Sequence, residues 1–469
     1  MVVQWFKRTI MNPPKDPLIA IVGATGTGKS KLAVDLALRF NGEIINGDAM
    51  QMYKGLPVIT NKITPSEAQG IPHHLFDFVN PLDRPWNVGT FTHECLKVLG
   101  EIRDRGKIPI LVGGTHYYTQ ALLFKDSLVK AGPDVENLEQ NESNEEGREG
   151  RVLKQESKVE KEERWPILAA AGEEIYAKLK EVDPAMARRW HPKDTRKVRR
   201  SLEIWLETGR RASEIYEEQR VVKENAGIND ELKSRLRFPT VVFWIRSENE
   251  VLRDRLDQRV DQMVAGGLFN EVEAMEDMAA EASKVGIPVD FTSGIWASIG
   301  FKEVQPYVVA KRSDPPPNGV QEMKLKSRAI ELTKIATRQY ANRQERWIKY
   351  KFMDAMEEMK EVAKVFPVDS TVVDAWDKNV KLKTEAVTSA FLHGSALPDP
   401  KSTSAMAKTL LNSVELERDL KAKNRAPEMH ECALCNKILM TRGQWQEHLS
   451  SNRHKKALRY QSKAINRPT

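Results

Sequence analysis

Residues 23 to 30 have the sequence GATGTGKS, and their Gly-x4-Gly-Lys-Ser spacing is that of a phosphate-binding loop. The apolar run LIAIV precedes them and a helical pattern follows, so backbone N–H groups at a helix N-terminus would face an anion. The pattern predicts phosphate binding by the whole loop, namely Gly23, Ala24, Thr25, Gly26, Thr27, Gly28, Lys29 and Ser30. It leaves open whether the phosphates belong to ATP or GTP, or to a diphosphate on another molecule.

The last part of the chain carries a second set of residues with a definite spacing. Two residues separate Cys432 from Cys435, twelve separate Cys435 from His448, and five separate His448 from His454. Two thiolates and two imidazoles at this spacing form the tetrahedral shell of Zn²⁺ in a C2H2 finger. The chain has only three cysteines, so we expect a metal site and not a disulfide framework. A single finger offers little surface for DNA and resembles the RNA-associated type, with a stabilising or protein-binding role as the alternative.

Strand-like and helix-like segments alternate from Leu18 to Leu123. Short apolar strands interleaved with helices are typical of a parallel sheet with helices on both faces. The predicted fold class is therefore α/β, with a P-loop NTPase-like parallel sheet. Ligands bind to such sheets at the carboxyl ends of the strands. Asp48 and Thr115 follow predicted strands, so we expect both to lie near the glycine-rich loop.

Changes of composition divide the chain into segments. Residues 126–164 are rich in acids and poor in aromatic and β-branched residues, which predicts a disordered acidic insertion. Residues 391–427 are rich in Ser, Thr, Pro and Lys, which predicts a linker. The remaining segments are a catalytic core in two parts (17–125 and 236–390, the second with a basic C-terminal helix), an α-helical insertion domain (165–235) and a ββα C2H2 finger (428–460).

The formal net charge of +7 favours polyanionic partners. No apolar run approaches the roughly 20 residues that span a bilayer, so we expect no membrane partner. Nothing in the sequence suggests an assembly interface, and we expect a monomer. The start, MVVQWFKRTIMNPPK, is basic and free of acids, which suits either a weak organelle-targeting stretch or a frayed terminus. The expected locations are the cytoplasm and the mitochondrion, with the nucleus as a further compartment.

Four stretches taken together resemble the tRNA dimethylallyltransferase (isopentenyltransferase) family: GATGTGKS; INGDAMQMYKGLPVITNKIT with GIPHHLFD; ILVGGTHYYTQALL; and HPKDTRKVRRSLEIWLETGR. RLDQRVDQMVAGGLFNEV, GIWASIGFKE and TRQYANRQERWIKY extend the likeness, which runs from about residue 17 to 355 apart from the acidic insertion. With its added finger, the chain is similar to the eukaryotic branch. The resemblance implies transfer of a dimethylallyl group from dimethylallyl diphosphate to N6 of the adenine just 3′ of the anticodon in tRNA (position 37).

The resemblance also implies roles for single residues. The glycine-rich loop would hold the diphosphate of the donor, with Lys29 adding charge and Ser30 binding Mg²⁺. Asp48 matches the base that takes a proton from the adenine amine, Thr115 the threonine near that adenine, and Arg259 the arginine near the diphosphate. Each residue also has an alternative role outside the chemical step. Asp48 could be a helix cap or a group near Mg²⁺, Thr115 a helix cap, and Arg259 a partner in a surface ion pair.

Contacts with tRNA are expected in two groups of residues. Those around the adenine are Asp48, Ala49, Met50, Gln51 and Thr115. Those on the phosphates of the anticodon stem-loop lie on two basic helices and are Arg196, Lys197, Arg199, Arg200, Arg338 and Arg343, together with Gln339 and Gln344 of the later helix. The target adenine would have to leave the loop stack to reach the pocket.

Three other functions share part of this pattern. An ATP-dependent small-molecule kinase would use the same loop, but the carboxylate, lid and adenine pocket that it needs are not recognisable in the sequence. An adenylate isopentenyltransferase acting on free nucleotides would need neither the basic helices nor the finger. A non-catalytic RNA-binding protein with a relic loop would not need Lys29, Ser30, Asp48 and Thr115 intact.

Overall fold

The computed structural model describes residues 13–124, 158–225, 236–358, 364–424, 427–435 and 437–465. These residues form two compact units, the first within Met1–Ser127 and Ser234–Glu415 and the second within Leu128–Lys233 and Leu416–Thr469. In the part of the chain that is described, no helix combines the length and the apolar composition needed to cross a membrane.

The regular elements alternate along most of the chain. The strands are β1 (Leu18–Val22), β2 (Gly42–Asn46), β3 (His73–His74), β4 (Ile108–Val112), β5 (Thr240–Arg246), β6 (Val365–Asp369), β7 (Pro427–Cys432) and β8 (Lys437–Thr441). The helices are α1 (Lys29–Phe40), α2 (Pro65–Ala68), α3 (Val88–Asp104), α4 (His116–Leu123), α5 (Lys158–Arg164), α6 (Gly172–Val182), α7 (Pro184–Arg189), α8 (Thr195–Thr208), α9 (Ala212–Asn225), α10 (Asn249–Ala265), α11 (Leu268–Lys284), α12 (Phe301–Lys311), α13 (Gly319–Trp347), α14 (Met353–Glu358), α15 (Leu382–Leu392), α16 (Ala405–Asn424), α17 (Arg442–Ser450) and α18 (Asn452–Ile465).

The six strands of the first unit form a parallel sheet in the order β3-β2-β4-β1-β5-β6. Successive side chains of β1 enter different cores: Leu18, Ala20 and Val22 pack on one face, and Ile19 and Ile21 on the other. Every residue of β1 is buried because helices cover both faces of the sheet. The predicted α/β fold is confirmed.

The two edges of this sheet are β3 and β6. The sequence pattern does not predict β6, whose sequence VFPVD contains Pro367. Proline has no N–H to donate to a ladder, so it is tolerated in an edge strand, where one side needs no partner. β6 pairs with β5 from Val365 to Asp369 and completes the sheet.

Residues 391–427, interpreted from their composition as a linker, contain α16. Leu410, Leu411 and Val414 of this helix are buried in the core on one face of the sheet. This part of the segment is structural, which corrects the linker interpretation. The surrounding Ser, Thr and Lys residues obscured three apolar residues at the i, i+1, i+4 spacing of a helix face.

Residues 126–157 of the predicted acidic insertion lie outside the described residues. The remainder of the insertion forms α5, so this end of the predicted disordered segment is helical. Its charged side chains face α8: Lys161 pairs with Glu207, and Glu162 accepts a hydrogen bond of 2.6 Å from Arg199. These tertiary contacts, which composition does not reveal, hold the helix.

The second unit contains α5 to α9 around a small apolar core that includes Leu168, Leu179 and Leu202. The basic helix α8 begins where the Asp194 side chain accepts from the N–H of Lys197, and it ends at a left-handed residue, Gly209, with φ of +69°. Local capping therefore fixes both ends of the predicted basic helix.

The finger belongs to the same unit. β7 and β8 form an antiparallel hairpin, and α17 follows directly after β8, which confirms the predicted ββα arrangement. Within the unit, α7 lies against β7. The finger is thus packed on the helical segment and does not stand as a separate appendage.

Candidate active site and metal centre

A cavity of about 740 Å³ lies at the carboxyl ends of the central strands of the first unit. Its walls come from the segments after β1, β2 and β4 and from α10 and α13. The predicted site residues that line it are Thr25, Gly26, Gly28, Lys29, Ser30, Asp48, Met50, Gln51, Thr115, Arg259 and Arg343. Stretches far apart in the sequence therefore converge, as the strand-end reasoning requires.

The glycine-rich loop has a backbone that larger residues would not permit. At Gly23 φ is +154°, and a Cβ would lie 2.3 Å from a carbonyl oxygen of β5. At Gly28 φ is +95°, and a Cβ would lie 2.7 Å from the ring of Trp376. Nζ of Lys29 donates to the carbonyl of Ala24 at 2.8 Å and closes the loop on itself. The N-terminus of α1, with its unpaired N–H groups, is thereby held at the cavity wall.

Lys29 lies among charged groups in that wall. Burial lowers the pKa of Lys29 to about 8, Asp48 acts to raise it, and Arg259 lowers it further. An anion placed beside this amine would favour its charged form. The electrostatics of the loop therefore suit a phosphate group.

Asp48 follows β2 and also faces the cavity. Its Oδ1 accepts from the N–H of Met50 at 3.0 Å, and its own N–H donates to the side-chain oxygen of Asn46 at 3.0 Å. Burial raises the pKa of Asp48, while the Met50 N–H and the Lys29 charge act against the rise. A carboxylate with a raised pKa accepts a proton more readily, which is what a general base needs.

Thr115 lies beside Asp48 because the turn after β4 presses on the turn after β2. A Cβ at Gly113 would lie 2.1 Å from the backbone just before Asp48, and one at Gly114 would lie 2.7 Å from Oδ2 of Asp48. The hydroxyl of Thr115 accepts from the N–H of Ala49 at 3.0 Å. Two glycines are thus required to bring a hydroxyl and a carboxylate side by side.

Arg259 comes to the cavity from α10. Its Nη1 donates to the hydroxyl of Thr25 in the glycine-rich loop. Burial lowers the pKa of Arg259, and the charges of Asp48 and Glu67 act to raise it. Among the described residues, the guanidinium contacts the loop and forms no ion pair with a carboxylate, which favours the functional interpretation over the surface ion pair.

The residues that follow Asp48 are placed differently from one another. Met50 and Gln51 line the cavity, and Nε2 of Gln51 donates to the carbonyls of Thr60 and Asn61 at 3.3 and 3.2 Å. Ala49 contributes its N–H to Thr115 and no cavity lining. The side chains of the INGDAMQ segment therefore form one wall of the cavity, and its backbone holds the hydroxyl of Thr115.

The predicted RNA-binding residues of α13 are engaged to different degrees. Nη1 of Arg338 contacts both carboxylate oxygens of Asp257, at 2.5 and 2.6 Å, and Nη2 contacts Glu331. Arg343 is exposed, lines the cavity, and lies over the ring of Tyr340 at 5.8 Å. Arg343 is therefore more available to a phosphate than Arg338.

The same difference divides the basic residues of α8 in the second unit. Arg199 donates to Glu162 and to the carbonyl of Leu168, both at 2.6 Å, so it ties α8 to its neighbours. The other three, which are exposed on the helix, are Arg196, Lys197 and Arg200. Lys197 pairs with Asp194 at 2.7 Å and Arg200 with Glu203 at 3.4 Å, but these pairs lie at the surface, where water screens them. A polyanion can therefore reach all three side chains, whereas Arg199 is held between helices.

Gln344, expected from the sequence on the RNA-binding surface, lies instead inside the first unit with 4% of its surface exposed. It contacts the N–H of Thr25 and the carbonyl of Gly114. Tyr340, one turn earlier on α13, lines the cavity, and its hydroxyl lies 3.4 Å from the same carbonyl. The i, i+4 spacing of these residues on one helix face was the available signal for a buried role.

The four predicted metal ligands converge in the finger, with their ligand atoms within 4.8 Å of one another. Nδ1 of His454 lies 3.6 Å from the sulfur of Cys432 and 3.5 Å from that of Cys435. Nε2 of His448 is buried and has no hydrogen-bond partner among the described residues, which fits a metal-binding atom. Two thiols and two imidazoles at these separations fit a closed structural Zn²⁺ site.

Family models match two parts of the chain. The IPP transferase model matches residues 51–351, and a model of a C2H2-type zinc finger matches residues 430–454. The first match covers more than half of the chain and includes Thr115, Arg259 and Gln344. The second contains all four metal ligands.

Named relatives cover nearly the whole chain. A tRNA dimethylallyltransferase of Schizosaccharomyces pombe is 34% identical over 94% of this chain and 95% of that protein. One of Homo sapiens is 34% identical over 96% of this chain and 88% of that protein. A crystal structure of a eukaryotic dimethylallyltransferase acting on tRNA gives a TM-score of 0.72 at 30% identity, over 96% of this chain and 98% of that one. This protein belongs to the IPP transferase family.

Proposed function

We propose that this protein transfers a dimethylallyl group from dimethylallyl diphosphate to N6 of adenine 37 in tRNA and releases diphosphate. The observation that carries the proposal is the single cavity into which the glycine-rich loop and Asp48 both face. The relatives named tRNA dimethylallyltransferase, and the solved dimethylallyltransferase acting on tRNA, support the same reaction.

The glycine-rich loop binds the diphosphate of the donor. The N-terminus of α1, Lys29 and Arg259 supply positive potential around it. Breaking the allylic C–O bond leaves negative charge on the departing diphosphate, so these groups stabilise the transition state more than the ground state. Ser30, in the first turn of α1 and on the cavity wall, would hold Mg²⁺, which neutralises part of that charge when bound.

Asp48 acts on the acceptor. The exocyclic amine of adenine is a weak nucleophile because its lone pair is delocalised into the ring. The new N–C bond forms as the allylic C–O bond breaks, and the amine proton passes to the carboxylate of Asp48. The neighbouring hydroxyl of Thr115 orients the adenine. The raised pKa of Asp48 makes it a better proton acceptor than an exposed aspartate.

The tRNA is bound through phosphates as well as through its adenine. Arg343 at the cavity and the exposed residues Arg196, Lys197 and Arg200 of α8 carry positive charge that suits the anticodon stem-loop. Arg199 and Arg338 act indirectly, by holding the helices on which these residues lie. Affinity for the stem-loop should therefore fall steeply with salt.

Mass spectrometry of nucleosides tests the reaction. The protein is incubated with Mg²⁺, dimethylallyl diphosphate and an anticodon stem-loop RNA with adenine at position 37, and N6-isopentenyladenosine is the expected product. AMP as the acceptor, and ATP with no RNA, serve as parallel reactions. A prenylated AMP without prenylated RNA, or ADP release, would assign the chain to one of the two rival enzyme classes.

The finger supports tRNA binding and not the chemistry. Deleting residues 425–469 should raise the dissociation constant for tRNA about tenfold, a loss typical of a few phosphate contacts, and leave the single-turnover rate at saturating tRNA intact. Removing zinc with a zinc-selective chelator, while Mg²⁺ is kept in excess, should give the same result, because the metal supplies the folding energy of the hairpin and helix. A collapse of the single-turnover rate would place the finger in the catalytic step.

The protein acts as a monomer in the cytoplasm and the mitochondrion, with the nucleus as a further site. Light scattering of the purified protein at micromolar concentration tests whether it is a monomer. Imaging of a tagged full-length chain tests its location in the cell.

A further inference from the structure

One buried side chain bridges two loops of the active-site cavity. Oε1 of Gln344 accepts a hydrogen bond of 2.8 Å from the N–H of Thr25, in the glycine-rich loop. Its Nε2 donates a hydrogen bond of 2.9 Å to the carbonyl of Gly114, in the turn after β4. A single amide from α13 therefore satisfies one backbone donor and one backbone acceptor from different segments of the cavity wall.

The helix that carries this amide is fixed against the sheet. Glu345, the next residue, accepts a hydrogen bond of 2.8 Å from Arg246 at the end of β5. Tyr340, one turn earlier, brings its hydroxyl to 3.4 Å from the carbonyl of Gly114. Because α13 is held on both sides of Gln344, the amide keeps a fixed position relative to the glycine-rich loop and the turn after β4.

The Gly114 end of the bridge bears directly on Asp48. A Cβ at Gly114 would lie 2.6 Å from Nε2 of Gln344 and 2.7 Å from Oδ2 of Asp48, so the amide and the carboxylate flank the same backbone atom. Thr115, the next residue, holds the N–H of Ala49. A shift of Gly114 would therefore move the carboxylate and the hydroxyl together.

The Thr25 end bears on the phosphate side. The hydroxyl of Thr25 is bound by Arg259, and its N–H is bound by Gln344. The N–H of Thr25 is therefore already paired, and the later N–H groups of the loop remain for the diphosphate.

We propose that Gln344 is a positioning residue of the transfer reaction, which sets the separation between the diphosphate-binding loop and Asp48 by bridging Thr25 and Gly114. The inference rests on the proposed function. The distance between the leaving group and the base depends on both ends of the bridge. A misplacement of about 1 Å at such a site can lower a rate on the order of 100-fold.

Gln344→Met tests this proposal, since methionine keeps the shape of the side chain and removes both hydrogen bonds. We expect kcat for prenyl transfer to fall roughly 10- to 100-fold. The dissociation constant for tRNA should stay within about twofold, and that for inorganic diphosphate with Mg²⁺ should rise. Gln344→Asn, which keeps the amide but shortens its reach, should behave like Gln344→Met. Asn342→Met, an exposed change on the same helix, is the matched control and should leave all three quantities unchanged.

Other outcomes decide against the proposal or separate it from the proposed function. A higher dissociation constant for tRNA with unchanged kcat would make Gln344 an RNA contact and overturn the bridge. A wild-type kcat in a folded Gln344→Asn variant would overturn it as well, whether or not Gln344→Met folds, as judged by its melting temperature. If the wild-type protein formed no prenylated product, the proposed function would fail. Weaker diphosphate binding by Gln344→Met would then still support the bridge.

Discussion

Two carboxylates near opposite ends of β2, the buried Glu43 and the half-buried Asp48, lie in opposite surroundings. Glu43, near the start of the strand, accepts hydrogen bonds from Arg105 at 2.6 Å, Lys107 at 2.9 Å and His74 at 2.7 Å. Asp48, two residues beyond the end of the strand, accepts from the neutral N–H of Met50. One carboxylate is surrounded by basic partners, whereas the other faces a cavity.

This difference sets their pKa values in opposite directions. Burial alone would raise the pKa of Glu43, but hydrogen bonds from Arg105, Lys107 and His74 lower it to about 2. For Asp48, burial prevails over its hydrogen bonds and over the charge of Lys29, and the pKa is raised. Desolvation acts on both, and the number of close basic partners decides the result. The comparison indicates a structural role for Glu43 and a chemical role for Asp48.

The largest expected effect is that of removing the carboxylate at the cavity. Asp48→Ala should lower the single-turnover rate of prenyl transfer by about 10²- to 10⁴-fold, because the amine proton loses its acceptor. The dissociation constant for tRNA and the melting temperature should change little. Normal turnover by this variant would show that Asp48 is not the base, and the proposed difference in role between Asp48 and Glu43 would be wrong.

The opposite pattern is expected at the other end of the strand. Glu43→Gln should lower the free energy of unfolding by about 2 kcal/mol, since three partly exposed basic side chains lose their charge-assisted hydrogen bonds to a buried carboxylate. The transfer rate should remain near that of the wild type at temperatures at which the variant is folded. Urea denaturation measures the first quantity and single-turnover assays the second. A catalytic defect without a loss of stability would contradict the structural role.

Because the pKa of Glu43 is lowered by folding, the free energy of unfolding should fall in acid. The pKa of Glu43 in the folded protein, about 2, lies below its value in the unfolded chain, about 4.3. The stabilisation is therefore fully present above pH 4.3 and lost as the pH falls towards 2, on the order of 2 kcal/mol across that window. The difference in the free energy of unfolding between the wild type and Glu43→Gln should therefore shrink as the pH falls. A difference that stays constant down to pH 2.5 would show that the charge of Glu43 does not stabilise the folded protein.

The smallest effect is expected from a single basic partner. Lys107→Gln should lower the free energy of unfolding by about 0.5–1 kcal/mol, because the partly exposed amine returns to water and Arg105 and His74 still contact Glu43. The urea midpoint measures this loss. A loss as large as that of Glu43→Gln would mean that the three partners act as one unit and not as separate contacts.

Several parts of the site follow from local sequence. The order of glycines, lysine and serine predicts the turn at Gly23–Ser30, because only glycine tolerates the backbone at Gly23 and Gly28. The spacing of two cysteines and two histidines predicts the finger, since a metal joins those four residues whatever surrounds them. The ends of parallel strands meet at one edge, which predicts that Asp48 and Thr115 lie beside the glycine-rich loop.

Other parts depended on contacts that local patterns do not contain. Gln344 and Arg338 belong to the same polar helix pattern, yet one is buried between two loops and the other is paired with Asp257. β6 was missed because its proline is tolerated only at an edge. The composition of residues 391–427 obscured the apolar face of α16.

By itself, the sequence determined which residue types stand at strand ends, in the glycine-rich turn and in the zinc-binding spacing, because these depend on neighbours within one short segment. The tertiary structure alone decided what each charge does. Glu43 and Asp48 are both acids at the ends of one strand, and only the packing of β3, β4 and the glycine-rich loop around them sets one pKa low and the other high. Burial and the position of counter-charges are properties of the folded chain, so residue type could not reveal them.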